Sequence, residues 1–367
     1  MGTKVAIIVQ KTTTKEKNAI FAAYFKSFFA MKKTLFLSLM AIVAVLSSCS
    51  TRVDLYADYK DIPVVYGLLD YDIDTNFIRI NRAFSSNNEN PINAYEVALI
   101  ADSCNYPGKL DARLVELQRG YGNQFHPTGT EFILDTMTLH NKQEGMFYSP
   151  DQKVYFTTER FKRNTSDYKY RLVVYKDNDT ISSETGLVGG ENFKITTSRL
   201  SFDPEDESTG QVNFAIADNA AFYEMTFKFT YKEIRHGDTI QKEINYNFGT
   251  GTLETLDHAP SSTTVYYFPY PHRLLFSKLH DAVGNDTVGV VRHVGKCIIT
   301  LAAGGDELYN FIQVNSNGGG YSQTVPDYTN IKGGYGVFSS RLTIVREVSL
   351  DRMTLMKLYG RFGFVQD

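Results

Sequence analysis

Acids stand at every second position in Asp70-Tyr71-Asp72-Ile73-Asp74, the spacing found at the opening of a calcium-binding loop. Such a loop needs a glycine at its sixth position for the sharp turn and a bidentate glutamate at its twelfth. Counted from Asp70, those positions hold Thr75 and Asn81, so the stretch reads as a solvated turn between two strands. The acidic run Asp203-Pro204-Glu205-Asp206-Glu207 reads as a solvated loop too, able at most to recruit calcium weakly. The histidines are His126, His140, His236, His258, His272, His280 and His293, and no two are three or four residues apart. That spacing is what puts two imidazoles on one helical face, so no local zinc site is expected. No serine stands in a nucleophile elbow and no cysteine carries an activating signature. Gly333-Gly334-Tyr335-Gly336 follows Asn330-Ile331 in a turn rather than a strand, which suits a backbone bend and not a phosphate cradle. Tyr266, Tyr267, Phe268 and Tyr270 could stack on a sugar face, but flanking Pro269 and Pro271 favour core packing at a corner. No catalytic residue, metal or cofactor is expected.

Two patterns point instead to covalent modification. Asp135-Thr136-Met137, Asp179-Thr180-Ile181, Asp238-Thr239-Ile240 and Asp286-Thr287-Val288 all read Asp-Thr-aliphatic. Turn-to-strand grammar produces that order, because Asp tolerates the left-handed backbone of a tight turn and Thr suits the strand after it. The triplet is also similar to the O-glycosylation sequon of exported Bacteroidota proteins, which makes Thr136, Thr180, Thr239 and Thr287 candidate acceptors. The two readings are compatible.

The second pattern is Met31 to Ser50, MKKTLFLSLMAIVAVLSSCS. Lys32 and Lys33 form a positive head, and Leu35 to Leu46 form an apolar run of 12 residues. A run that short is a signal-peptide core, since a transmembrane helix needs roughly 20 apolar residues. Leu46-Ser47-Ser48-Cys49 resembles a bacterial lipobox, in which the Cys49 thiol is acylated and the chain is cut just before it. Residues 1–30 then read as a mis-assigned upstream extension, 31–48 as a lipoprotein signal peptide and 49–61 as a lipidated tether.

Removing the 48 residues ahead of Cys49 leaves 319 of 367 and takes away seven lysines and one acid, Glu16, so the formal charge falls from −3 to −9. An acidic surface repels nucleic-acid phosphates and anionic lipid, which excludes both as electrostatic partners. Membrane association would come from the N-terminal lipid, and several acyl chains hold stably where one does not. Of the three cysteines, Cys104 and Cys297 remain. An exported compartment permits a disulfide between them. Two separately buried thiols are the alternative, because both follow apolar, strand-like runs.

The elements that must position these residues are mostly strands. The chain has 24 Tyr and 25 Phe but no Trp, a composition that favours pleated sheets. Ile78 and Ile80 alternate with Arg79 and Asn81 at a period of two, and Tyr95 to Ala101, Leu110 to Leu117 and Phe132 to Leu139 continue the pattern. Tyr168 to Tyr175 is followed by the turn Asp177-Asn178-Asp179 and a returning strand to Leu187. Val188-Gly189-Gly190-Glu191 marks a boundary. Beyond it come Val212 to Ile216, the hairpin of Phe222 to Ile234 and Ile240 to Phe248 around His236-Gly237-Asp238, Tyr266 to Phe268 and Lys296 to Ala302. Short helical patterns are Arg273 to Asp281, one capped by Asp306, and one opening at Ser349. The fold class is all-β, of β-sandwich or Ig-like type, with a few short helices in the C-terminal half. Two domains are expected, 62–190 and 191–367.

Four stretches carry a likeness to a known family. They are Val65 to Asp70 with Ile78 to Phe84, Tyr168 to Val174 with Ser183-Glu184-Thr185, Asp306 to Asn310, and Tyr328 to Arg341. Together they resemble a Bacteroidota outer-membrane lipoprotein family catalogued as a domain of unknown function, whose members are often encoded beside TonB-dependent receptors. At Gly333 the family form has Asn. The resemblance implies a lipid-anchored protein of the outer membrane, facing the periplasm or the surface, and a non-catalytic accessory role in TonB-dependent uptake. A cell-surface structural or adhesive subunit is the alternative; an exported hydrolase would need acids or histidines brought together from distant strands.

Overall fold

The computed structural model of the protein describes residues 62–83, 99–100, 104–140, 151–284, 287–316 and 328–366, all within one compact unit. Cys49, the signal stretch, the tether and most of Tyr95 to Ala101 lie outside these residues.

β1 (Pro63–Leu69) and β2 (Asn76–Arg82) alternate as their sequence does, burying Val65, Leu69, Ile78 and Ile80 and exposing Tyr66, Leu68 and Phe77. The period of two fixes their antiparallel register, because a one-residue slip would turn the apolar set to solvent. β3 (Asp111–Arg119) and β4 (Phe125–Ile133) form a hairpin. Phe132 to Leu139, expected as one strand, is two. β5 (Asp135–Leu139) leaves for the opposite sheet and pairs with β6 (Gln152–Thr157). The cause is Leu134: its side chain is fully buried and its N–H donates to the Ala112 carbonyl at 2.9 Å, which pins the chain in the core while its neighbours change sheets. β7 (Tyr168–Lys176) and β8 (Asp179–Gly186) complete a four-stranded layer ordered β4-β3-β7-β8.

β9 (Lys194–Ile195), β10 (Arg199–Leu200), β11 (Thr209–Ala215), β12 (Phe222–Arg235), β13 (Asp238–Gly251) and β14 (Val265–Pro271) follow. The β12–β13 turn is His236 (φ 53°) and Gly237 (φ 94°), the left-handed pair that two-residue hairpins require. α1 (Leu274–Val283) lies between β14 and β15 (Val290–Gly304), and α2 (Asp306–Ser316) precedes β16 (Tyr335–Leu350). α3 (Arg352–Leu358) starts later than expected: Ser349 is still strand, and the Asp351 carboxylate accepts from the Thr354 N–H at 2.7 Å as the cap.

β16 changes partner midway. Tyr335 to Ser340 pair in parallel with Val64 to Leu69, and Arg341 to Val348 pair antiparallel with Gly304 to Cys297. Among the described residues this makes one nine-stranded sheet, β13-β12-β15-β16-β1-β2-β6-β5, with β10 beside the end of β16. The first half of β16 faces the β3–β7–β8 layer with β1 and β2, and the second half belongs with the sheet β14-β11-β9 and α1 in a second sandwich. The boundary expected at 190/191 is therefore crossed, because the first sandwich takes a strand from near the C-terminus. One buried core runs through both, filled by rings such as Phe202 against Phe227 at 5.7 Å and Phe214 against Phe268 at 5.8 Å.

Val290 to Lys296 run past the pairing with β16, so β12, β13 and β15 extend away from the first sandwich as a three-stranded arm. The chain after α3 braces that arm. Phe364 packs on Phe229 and Tyr231, and the Arg292 guanidinium donates to the Phe362 carbonyl. Arg292 also meets Glu233 at 2.7 Å, with only 1% and 4% of the two side chains exposed.

Candidate functional site

A polar cleft opens where the two sandwiches meet. Its two lobes, of about 220 and 310 Å³, share Arg163, Gly190 and Glu191. Backbone geometry builds it. Gly189 (φ 146°) and Gly190 (φ 98°) adopt conformations that side chains avoid, and a Cβ there would lie 2.4 Å from the Tyr71 ring and 2.7 Å from the Asp218 carboxylate. Gly189 and Asp218 exchange backbone hydrogen bonds of 2.7 and 3.2 Å, so the linker is stapled to the turn after β11. Arg163 lies 5.3 Å over the Tyr71 ring and donates to Asp72 at 2.7 Å, while the Thr165 hydroxyl donates to Asp218 at 3.0 Å. Burial pushes the Tyr71 phenol up from its ordinary value. The cleft can offer donors and acceptors to a small polar ligand. Its two inner carboxylates are already engaged by protein groups, which is unlike a poised acid–base pair.

The acidic run is not a free solvated loop. Asp203 pairs with Lys357, Glu205 with Arg361 at 3.6 Å, Asp206 with His272 at 2.7 Å and Glu207 with Arg273 at 3.5 Å. Each carboxylate meets a base from the start of α1 or from α3 and the turn after it, so the loop is a clasp. Hydrogen bonds from Ser208, then His272, hold the Asp206 carboxyl down to about 2. Asp206, Ser208 and His272 have the residue types of a hydrolase triad, brought together from loop and strand end. Their geometry differs from one. Ser208 Oγ (3.2 Å) and Asp206 Oδ2 (2.7 Å) both contact the same ring nitrogen, His272 Nδ1, whereas a triad puts acid and nucleophile on opposite nitrogens.

The other sequence-marked residues are dispersed. Asp72 and Asp74 pair with Arg163 and Arg160, and the Asp70 carboxylate accepts from the Asp72 N–H at 2.8 Å, so the alternating acids form a turn closed on itself. Among the described residues no group of three or more His, Cys, Asp or Glu side chains is placed to hold a metal. Cys104 and Cys297 are both free and buried, so the structure holds no bond between them; Cys297 belongs to the shared core, and burial pushes its thiol up to about 12. Thr180, Thr239 and Thr287 are exposed, the first two opening the return strands of hairpins. Thr136 is half-buried within β5. Phe268 and Tyr270 are core residues. Gly334 and Gly336 let β16 approach β1: a Cβ on Gly336 (φ 110°) would fall 1.9 Å from the Val65 carbonyl oxygen.

The outward face of the first sheet carries exposed apolar side chains beside Arg79, which stands opposite Tyr66. Tyr66, Leu68 and Phe77 are 42%, 36% and 41% exposed, with Phe156 beside Phe77 at 6.4 Å between ring centres and Phe311 of α2 beside Tyr66 at 6.0 Å. No helix among the described residues is long and apolar enough to cross a membrane.

No protein-family model and no curated protein matches this chain. Among solved structures, a chimeric titin Z1Z2 functionalised with an exogenous KLER peptide from decorin is 9% identical with a TM-score of 0.15, covering 80% of this chain and 99% of that one. At that score the likeness carries no argument.

Sequence reasoning marked Val188 to Glu191 only as a boundary and passed over Arg163, Thr165 and Asp218. The paired glycines were the available signal, since Gly-Gly between strands marks a close backbone approach. Arg163 and Asp218 carry no local pattern; 55 positions apart, they meet only through the fold.

Proposed function

We propose that the protein is a lipid-anchored lipoprotein of the outer membrane and a non-catalytic binding component of a TonB-dependent uptake system. The observation that carries this reading is the stretch ending Leu46-Ser47-Ser48-Cys49, which stands 14 residues ahead of β1. Acylation there would hold the first sandwich close to a membrane in which receptors lie. The apolar row Tyr66, Leu68 and Phe77 supports contact binding, because exposed apolar patches on monomers commonly mark interaction surfaces. Thr180, Thr239 and Thr287, exposed as an acceptor must be, are proposed O-glycosylation positions.

The test is a mild-detergent pull-down of the tagged native lipoprotein from its own outer membrane, read by mass spectrometry. A stoichiometric TonB-dependent receptor, lost from a Tyr66→Ser/Phe77→Ser variant, supports the reading. Recovery of the protein alone refutes it and favours the structural or adhesive subunit. Cys49→Ala should leave the protein in the soluble fraction.

A further inference from the structure

β15 and β16 part before either strand ends. Their ladder runs from Gly304–Arg341 to Cys297–Val348 and stops there. Beyond it β16 turns to β10: the Ser349 N–H donates to the Ser198 carbonyl at 3.0 Å, and the Asp351 N–H to the Leu200 carbonyl at 2.9 Å. β15 is displaced by a bulge at Gly295, where its register against β12 shifts opposite Thr230. The Thr230 hydroxyl accepts from the Lys296 N–H at 2.8 Å and donates to the Lys296 carbonyl at 3.3 Å. A Cβ on Gly295 would lie 2.6 Å from the Thr230 carbonyl oxygen, so the bulge needs glycine. The fork between the strands opens into a cavity of about 570 Å³, larger than either lobe of the polar cleft. Small-molecule sites span roughly 300–1,000 Å³.

Alternation along each strand decides which backbone groups face the fork. Ser349 and Asp351 donate toward β10, so the N–H and C=O of Leu350 between them point the opposite way, toward β15. On β15, Arg292 faces away from β12: its N–H donates to the Gly363 carbonyl at 2.8 Å, and its carbonyl accepts from the Val365 N–H at 3.0 Å. Val294, two residues on in the same register, turns its own N–H and C=O to that side, into the fork. Among the described residues no hydrogen bond reaches these four groups of Val294 and Leu350. The wall beside them is apolar, built from the buried side chains of Cys297, Val348 and Leu350 with Leu355 of α3. The two charges that line the cavity, Lys296 and Glu347, pair with each other at 2.7 Å.

Two edges that each offer one donor and one acceptor have a simple complement. An extended residue with an amide on either side turns its own N–H and C=O to one edge. The C=O before it and the N–H after it go to the other. We propose that the fork binds a short peptide in this way, with one residue laid between Val294 and Leu350 and its side chain on the apolar wall. That residue is aliphatic and uncharged, because the wall is aliphatic and the cavity's charges are already spent on one another. Main-chain bonds supply the affinity and the wall supplies the selectivity. The same edge of β15 already takes main chain, since Gly363 to Val365 pair with Arg292 there. The site needs neither an anchor nor a receptor, and so goes beyond the uptake reading above.

The experiment titrates the chain from Cys49 onward with N-acetyl-leucine methylamide, a single leucine flanked by two amides, and follows backbone amide shifts by NMR. Saturable shifts are expected at Val294 and Leu350, with the polar cleft at Arg163 and Asp218 unmoved. N-acetyl-aspartate methylamide should bind at least tenfold more weakly, because its carboxylate would be laid on the apolar wall. N-acetyl-N-methylleucine methylamide keeps the side chain but loses an N–H, which leaves one acceptor in the fork without its donor. It too should bind at least tenfold more weakly. Both comparisons alter the ligand and leave the protein intact, so folding does not enter. No saturable shift at Val294 and Leu350, or equal binding of either altered compound, overturns the proposal. Recovery or loss of a receptor in the pull-down bears on the uptake role alone.

Discussion

Glu233 and Arg292 allow the sharpest energetic test of the arm. Replacing Glu233 with Leu leaves the Arg292 guanidinium inside the sheet without its carboxylate, and breaking a buried pair from one side costs about 3–5 kcal/mol. Replacing Arg292 with Met leaves the Glu233 carboxylate with Lys242 at 3.1 Å, whose side chain is 40% exposed, so this variant should fall at the lower end, about 3 kcal/mol. Removing both with Glu233→Leu/Arg292→Met takes away the desolvation cost together with the attraction, which is often close to neutral. What remains lost is the hydrogen bond from Arg292 to the Phe362 carbonyl, about 1 kcal/mol. The double variant should therefore be more stable than either single one, with a coupling of roughly 5–7 kcal/mol. Urea unfolding of the chain from Cys49 onward, with unchanged m-values, measures all three. A double variant as unstable as Glu233→Leu would refute the reasoning, because the loss would then come from packing. The same pair sets a pH dependence. Burial raises the Glu233 carboxyl, but hydrogen bonds from Arg292 and then Lys242 outweigh it and hold the group below its ordinary 4.5. Its contribution is thus complete above pH 4.5 and is lost as the pH falls through the lowered folded value.

The clasp titrates in the same sense: Lys357 holds the Asp203 carboxyl below its ordinary 3.8, and NMR should place the Asp206 midpoint at about 2 and show Lys357→Met returning Asp203 toward 3.8. Gly336→Ala should lower stability by about 2 kcal/mol or more, since backbone strain and the Val65 carbonyl both oppose a Cβ; an unchanged calorimetric Tm would contradict this. At neutral pH iodoacetamide should leave native Cys297 unmodified and should label both Cys104 and Cys297 after unfolding without reductant; a need for reductant would indicate a bond between them.

Strand content was legible because aromatic and β-branched residues alternate at a period of two, and the hairpins at Asp177-Asn178 and His236-Gly237 because their types tolerate positive φ. α1 and α2 were legible from apolar spacing and from Pro271 and Asp306. What escaped is long-range. Leu134 looks like any strand residue, yet it is where the chain changes sheets. Nothing near Tyr335 to Leu350 says that one run of residues serves two sandwiches. The acids of Asp203 to Glu207 looked solvated because their bases stand far along the chain, at His272, Arg273, Lys357 and Arg361. Gly333 sits at φ 81°, a conformation that glycine and asparagine accept.

β16 has a consequence for the order in which the chain can acquire structure. Among the described strands β1 is the first to be synthesised, yet its parallel neighbour is the last. The Ser340 hydroxyl that donates to the Leu69 carbonyl closes a separation of 271 positions. Until then one flank of β1 has no ladder, and the first sandwich is short of a strand. A nascent chain is thus kept from completing the first sandwich by the absence of its rear. In a chain made from its N-terminus, such a topology delays completion of the first sandwich until synthesis is nearly finished.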